Sequence, residues 1–368
     1  MNRLLSQKFR FLTFICIALL PYVHGYNLKE TYLSPFSTVS EPLTTTTFFE
    51  YFFANGILRF RIPVLFIISG YLYAQFDSLS YVEQIKKRFR TLIIPYFIWS
   101  AIGLLLTYTF QQFSFTAQAV FNAQLDQFGN NAPYSTFSFH DIVQRWLLAP
   151  PSYQLWFIQS LFVYNLLYPL LKWLIQNVPA IWLSITCILW FSLFGIFFIG
   201  GLGLFFFSLG IWLQQKNIPV NEKPKWFNLG LAWIFFIGVC VIKTFMAFEF
   251  PANTNTTTIS ILVLYNLSVF SGILCVWYSV NSLSIKSLEH PFFKEISKHS
   301  FFIFGFHVPL LSYCMQMCFM LMHNWPMYRL ITYLTLPMLI NVVCILLAMF
   351  LKKYSKNVYG VLTGGRGF

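Results

Sequence analysis

Apolar runs long enough to cross a bilayer recur along this whole chain, and they leave few folds open. A spanning helix needs about 20 predominantly apolar residues. Windows of near that length fall at residues 9–27, 55–76, 91–110, 153–171, 179–199, 202–215, 227–248, 259–283, 300–322 and 328–351. Only 10% of the residues are charged, against about a quarter in soluble domains. The expectation is an all-α polytopic membrane protein with about ten transmembrane helices, the window at 202–215 being the shortest, forming a single membrane domain over residues 1–368.

The formal charge of +13 does not point to a nucleic-acid partner, because the basic residues follow the spans. If the N-terminus is cytoplasmic, alternate loops carry Arg3, Lys8 and Arg10; Lys86, Lys87, Arg88 and Arg90; Lys172; Lys216, Lys223 and Lys225; Lys286, Lys294 and Lys298; and Lys352, Lys353, Lys356 and Arg366. The opposite loops hold Lys29, Arg145 and Arg329, and Arg59, Arg61 and Lys243 fall at or within spans. This is the positive-inside pattern, which places both termini in the cytoplasm. The basic start and apolar run also resemble a signal peptide, but Pro21-Tyr22-Val23-His24-Gly25-Tyr26 offers no small-x-small cleavage site, so the run is read as a retained first helix. The seven cysteines lie in apolar segments without paired-ligand spacing, which gives neither a disulfide framework nor a metal site.

Residues 111–152 form the longest stretch between spans and are expected on the extracytoplasmic side. A segment of this length is either a lid or binding element or a plain connector. Gly200-Gly201-Leu202-Gly203 reads as a tight turn between helices, since no strand precedes it and no Lys-Ser/Thr follows. Phe48 to Phe76 is longer than one straight span requires and contains Gly56 and Pro63. Pro63 removes a backbone donor and disfavours helix at Ile62, so an interruption is expected there. Irregular backbone at membrane depth is tolerated where it is buried in protein or lines a wet cavity.

Ionisable groups inside spans cost roughly 2.5–3.5 kcal/mol on insertion scales and mark functional sites. His24, near the far end of the first span, has the chemistry of a general base for a hydroxyl; an interfacial histidine bonded to Tyr26 or water is the alternative. Arg59 and Arg61 suit phosphates or a polarised carbonyl, or structural pairing with Glu50 or Glu30. The run Lys86-Lys87-Arg88-Phe89-Arg90 suits topology, lipid contact or a phosphate-bearing donor. His307, beside Pro309, is a second intramembrane histidine, and an interhelical hydrogen bond is its structural alternative.

Five blocks in order resemble the membrane-bound acyltransferase-3 family, whose members acylate bacterial surface glycans. They are Val23-His24-Gly25-Tyr26-Asn27; Arg59 to Pro63 leading into Phe66-Ile67-Ile68-Ser69-Gly70-Tyr71-Leu72; Lys87 to Arg90 with Ile94-Pro95-Tyr96-Phe97-Ile98-Trp99; Gln154-Leu155-Trp156-Phe157-Ile158 through Tyr168-Pro169; and Phe304 to Pro309. The resemblance implies an acyltransferase of the bacterial inner membrane. It uses cytoplasmic acyl-CoA, with acetyl-CoA expected, as co-substrate rather than a resident cofactor. The acceptor is a glycan or lipid-linked glycan, and the surroundings are membrane lipid. It assigns His24 and Arg59 to catalysis; joined to the residue chemistry above, the expectation is that Arg61, Arg88 and Arg90 bind the acyl-CoA and that Glu50, Ser69, Trp156 and His307 give support. The family often carries an arginine eleven positions before the histidine; this chain has Thr13 there and Arg10 fourteen before. A transporter or flippase of amphiphilic glycans is the competing class, since it too needs intramembrane charge. Few acids lie at depth, which argues against a proton-coupled pump.

Overall fold

Polar caps mark where the chain enters its helices. In the computed structural model, which describes residues 3–29, 34–36, 38–76, 80–250 and 254–367, Thr44, Ser80 and Ser138 each form a reciprocal capping box with the third residue of the following helix. Asn228 and Thr254 accept from first-turn amides of theirs. Such caps satisfy backbone donors that a helix start leaves open. Glu30 lies outside the described residues, so its pairing is not addressed.

The helices are α1 (Arg3–Ala18), α2 (Leu20–His24), α3 (Thr45–Tyr51), α4 (Arg61–Gln75), α5 (Tyr81–Arg88), α6 (Ile94–Phe110), α7 (Ser114–Ala123), α8 (Phe139–Leu147), α9 (Trp156–Leu166), α10 (Tyr168–Asn177), α11 (Pro179–Phe191), α12 (Gly201–Gln215), α13 (Leu229–Glu249), α14 (Asn255–Glu289), α15 (Pro291–Ile296), α16 (Ser300–Met322), α17 (Tyr328–Tyr354) and α18 (Lys356–Thr363). A two-residue hairpin, β1 (Gly195–Ile196) with β2 (Ile199–Gly200), precedes α12.

Among the described residues seven helical stretches are long and apolar enough to span a membrane, and eight if the pair α9–α10, bent by 62° around Leu167, counts as one. The protein is an all-α polytopic membrane protein. The helix in window 179–199 is shorter than read from the sequence, α11 having 13 residues, whereas α12, with 15, matches the window at 202–215. The hairpin takes up the rest of the first window. The turn also falls earlier than expected, at Phe197, which has φ +50°; Gly201 already begins α12. Ile188, Ile234 and Leu346 are 66, 70 and 60% exposed on helices whose other faces are buried, as lipid contact requires.

The chain packs as two compact units. The first comprises Met1–Cys16, Tyr32–Phe89 and Gln159–Ser297. In it α4 and α12 approach until a Cβ at Gly70 would lie 2.1 Å from the Phe207 carbonyl, the small-residue contact typical of membrane helices. Trp190, Phe205, Phe206 and Phe270 form an aromatic cluster beside that contact. Irregularity in the second span lies before Pro63, not at it. Phe52–Gly56 is a π turn and Ile57–Phe60 a 3-10 turn, after which Pro63 sits third in α4. A proline in a first turn gives up an amide that has no partner anyway.

The second unit comprises Ile17–Thr31, Arg90–Ile158 and Lys298–Phe368. Residues 111–152 are folded here. The guanidinium of Arg145 on α8 donates to Asp126 at 2.6 and 3.0 Å and lies 4.1 Å over the Phe137 ring. Val120, Ala123 and Leu125 pack against Val308 and Tyr313 of α16.

Candidate active site

His24 is the last residue of α2, a short helix that follows a break at Leu19 and carries Pro21 in its first turn. Gly25 closes it: a Cβ there would lie 2.9 Å from the Pro21 carbonyl and 3.5 Å from Pro337. The imidazole Nδ1 is 2.8 Å from the Tyr153 hydroxyl, and the two rings meet edge to face at 5.0 Å. His307 is fully buried, its ring 5.4 Å from that of His24.

Pro309 shapes the His307 side. Val308, just before it, has φ −110° and ψ 136° and leaves helical geometry, as the residue before a proline tends to. Carbonyls freed by such a break need donors at membrane depth. Gln154 supplies one: its side-chain amide lies 3.3, 3.2 and 3.1 Å from the carbonyls of Phe304, Gly305 and Val308. His307 Nδ1 is 2.9 Å from the Ile303 carbonyl and 3.1 Å from that of Phe304. Carbonyls only accept, so Nδ1 carries the proton and, in a neutral ring, Nε2 does not.

The 3-10 turn Tyr153–Leu155 therefore serves two partners at once, with Tyr153 on His24 and Gln154 on the opened helix. Trp99 adds a further contact. Its ring lies against Gly305, where a Cβ would come within 2.4 Å, and its indole donates to the Leu362 carbonyl at 2.9 Å. Asn27, three residues after His24, receives the Gln316 amide at 3.1 Å and holds Arg329 through its carbonyl at 2.5 Å. The first and fifth sequence blocks, with Gln154 to Ile158 of the fourth and Trp99 of the third, thus lie in the second unit, while Tyr168-Pro169 of the fourth lies in the first. Trp156, one turn on, is 43% exposed.

The second block lies in the first unit. Arg59 is half-buried in the 3-10 turn, within electrostatic reach of Tyr51, Lys243 and Tyr265. Arg61 is buried and donates from Nε to the Leu58 carbonyl at 2.5 Å. Glu50 is fully buried, and Ser69 is half-buried beside the Gly70 contact. The span that carries these charges has 67% of its apolar window buried within protein, against 22% for Tyr328–Tyr354, so protein rather than lipid surrounds them. Arg88 lies half-buried with its guanidinium 5.1 Å over Tyr73, in the first unit; Arg90 is exposed, in the second.

Tyr153 and Gln154 are the parts that sequence reasoning missed as functional. Gln154 sits inside a quoted block, but nothing local says that its amide closes a helix break 150 residues away. Tyr153 follows Pro150, Pro151 and Ser152 and reads only as a helix start.

A span-rich all-α fold with paired histidines at a helix break is the setting of an integral membrane enzyme. The chain matches the acyltransferase domain family over residues 10–352 and belongs to it; it is a multi-pass membrane acyltransferase. It is similar to the succinoglycan biosynthesis protein ExoH of Rhizobium meliloti (strain 1021), at 24% identity over 330 residues, 86% of this chain and 81% of that one. No solved structure matches it.

Proposed function

We propose that this protein is an O-acyltransferase of the bacterial inner membrane, moving an acyl group, with acetyl the first to test, from cytoplasmic acyl-CoA to a hydroxyl of a cell-surface polysaccharide. The observation that carries this reading is the contact of His24 with Tyr153. Family membership supports acyl transfer, and the relative named for succinoglycan biosynthesis supports a glycan acceptor.

With the phenol oxygen accepting from Nδ1–H of His24, Nε2 is the basic nitrogen. It takes the proton of the acceptor hydroxyl as that oxygen bonds to the thioester carbonyl carbon. The carbon–sulfur bond then breaks, the CoA thiolate leaves, and the imidazolium returns the proton to it. The products are an ester and free CoA thiol. Arg59, with Arg61, Arg88 and Arg90, is assigned to the acyl-CoA, holding phosphates or the developing oxyanion by charge-assisted hydrogen bonds. Glu50, Ser69, Trp156 and His307 are assigned to support.

Inside-out membrane vesicles given acetyl-labelled acetyl-CoA test the reading. Alkali-releasable label is expected in polysaccharide for the wild type and absent for His24→Ala. Equal labelling in both overturns the assignment.

A further inference from the structure

Lys243 lies in the C-terminal half of α13 and is fully buried. Its ammonium donates to the Asn55 carbonyl at 2.6 Å, flanked by the rings of Tyr51 and Tyr265 at 5.4 and 5.1 Å. A buried cation in a span is costly and persists only with partners of this kind. Asn55 belongs to the π turn, and Gly56 at its end has φ −106° and ψ −97°, outside helical geometry. Backbone bonding passes here from π to 3-10 spacing, and within a span irregular backbone is held by protein groups rather than water. Lys243 supplies such a group at the Asn55 carbonyl from a neighbouring helix.

The segment held in this way is the one that carries Arg59. Arg59 lies one turn beyond Asn55, within electrostatic reach of Lys243 and of both flanking tyrosines. We infer that Lys243 is a positioning residue: by fixing the Asn55 carbonyl it sets the π-to-3-10 transition and thereby where the Arg59 guanidinium stands for the acyl donor. This rests on the assignment of Arg59 to acyl-CoA. A regular helix would turn Arg59 to a different azimuth, because a π turn holds one extra residue.

A double-mutant cycle on Lys243→Met and Arg59→Ala, with acetyl-CoA varied at fixed acceptor, tests the role. Lys243→Met keeps the length of the stem and removes the donor. The expected result is a KM for acetyl-CoA raised by about 10-fold or more, kcat within about 3-fold of wild type, and no further rise when the change is added to Arg59→Ala. Lys243→Gln carries the same cycle if the Met variant does not accumulate, and monodisperse elution certifies each protein. A KM within about 2-fold of wild type in Lys243→Met, or effects that multiply in the double variant, overturns the positioning role. An unchanged KM in Arg59→Ala overturns the positioning role, and an unchanged KM together with an unchanged kcat overturns the donor assignment itself.

Discussion

The Tyr153 hydroxyl and Nδ1 of His24 lie 2.8 Å apart although 129 residues of chain separate them. That contact, with the edge-to-face packing of the two rings, orients the His24 imidazole. Tyr153→Phe keeps the edge-to-face packing and removes only the hydroxyl. The expected outcome is a kcat lowered about 10- to 100-fold, less than the about 10²–10⁴-fold that a general base itself contributes, with KM for acyl-CoA and thermal stability near wild type. Steady-state kinetics on the purified variant check this, and an unaltered kcat contradicts the orienting role.

Gln154 bridges three carbonyls at the break in α16. Gln154→Leu leaves them without this donor in a buried site, at a cost of about 1–3 kcal/mol. A lower unfolding temperature in detergent is expected, together with reduced activity, because Tyr153 sits on the same 3-10 turn. Unchanged stability and activity would mean that the break is held by other contacts.

In the 111–152 segment, the side chains of Arg145 and Asp126 are only 5 and 4% exposed. Removing one partner of a buried ion pair costs about 3–5 kcal/mol, whereas replacing both with apolar groups of similar size is often neutral or better. Asp126→Asn is therefore expected to open residues 124–137 to proteolysis. The double change Asp126→Leu with Arg145→Met should restore protection. Equal protease resistance in Asp126→Asn would show that the pair does not hold the fold.

Hydrogen bonds from the Ser138 hydroxyl and amide hold the Asp141 carboxylate below its ordinary range. A depressed carboxylate pKa adds stability above the unfolded-state value, about 3.9, and loses it as pH falls through the folded value. The start of α8 should consequently loosen below about pH 4, seen as faster amide exchange at residues 139–142. Asp141→Asn should remove that pH dependence.

Much of the layout was legible in the sequence, since apolar length is a local signal. The second-span irregularity was foreseen but displaced, because Pro63 fits a helix's first turn while the π turn at Asn55 depends on Lys243 from α13. The shortness of α11 was not visible either, as Phe194 to Phe198 are as apolar in a hairpin as in a helix. His24 and His307 both stood out as intramembrane histidines. Their approach to 5.4 Å depends on a bend at Val308, which Pro309 signals locally, and on the turn at Tyr153, which has no signature within its own window.

The central claim is that His24 drives transfer of an acyl group from CoA to a glycan hydroxyl. Its most direct test is release of free thiol from acetyl-CoA by purified protein, with and without a lipid-linked glycan extract, for wild type and His24→Ala. The account predicts acceptor-dependent release by the wild type and none above background by the variant. Equal release by a folded His24→Ala protein would contradict the role of His24, and no release by either with any short acyl-CoA would contradict the proposed donor.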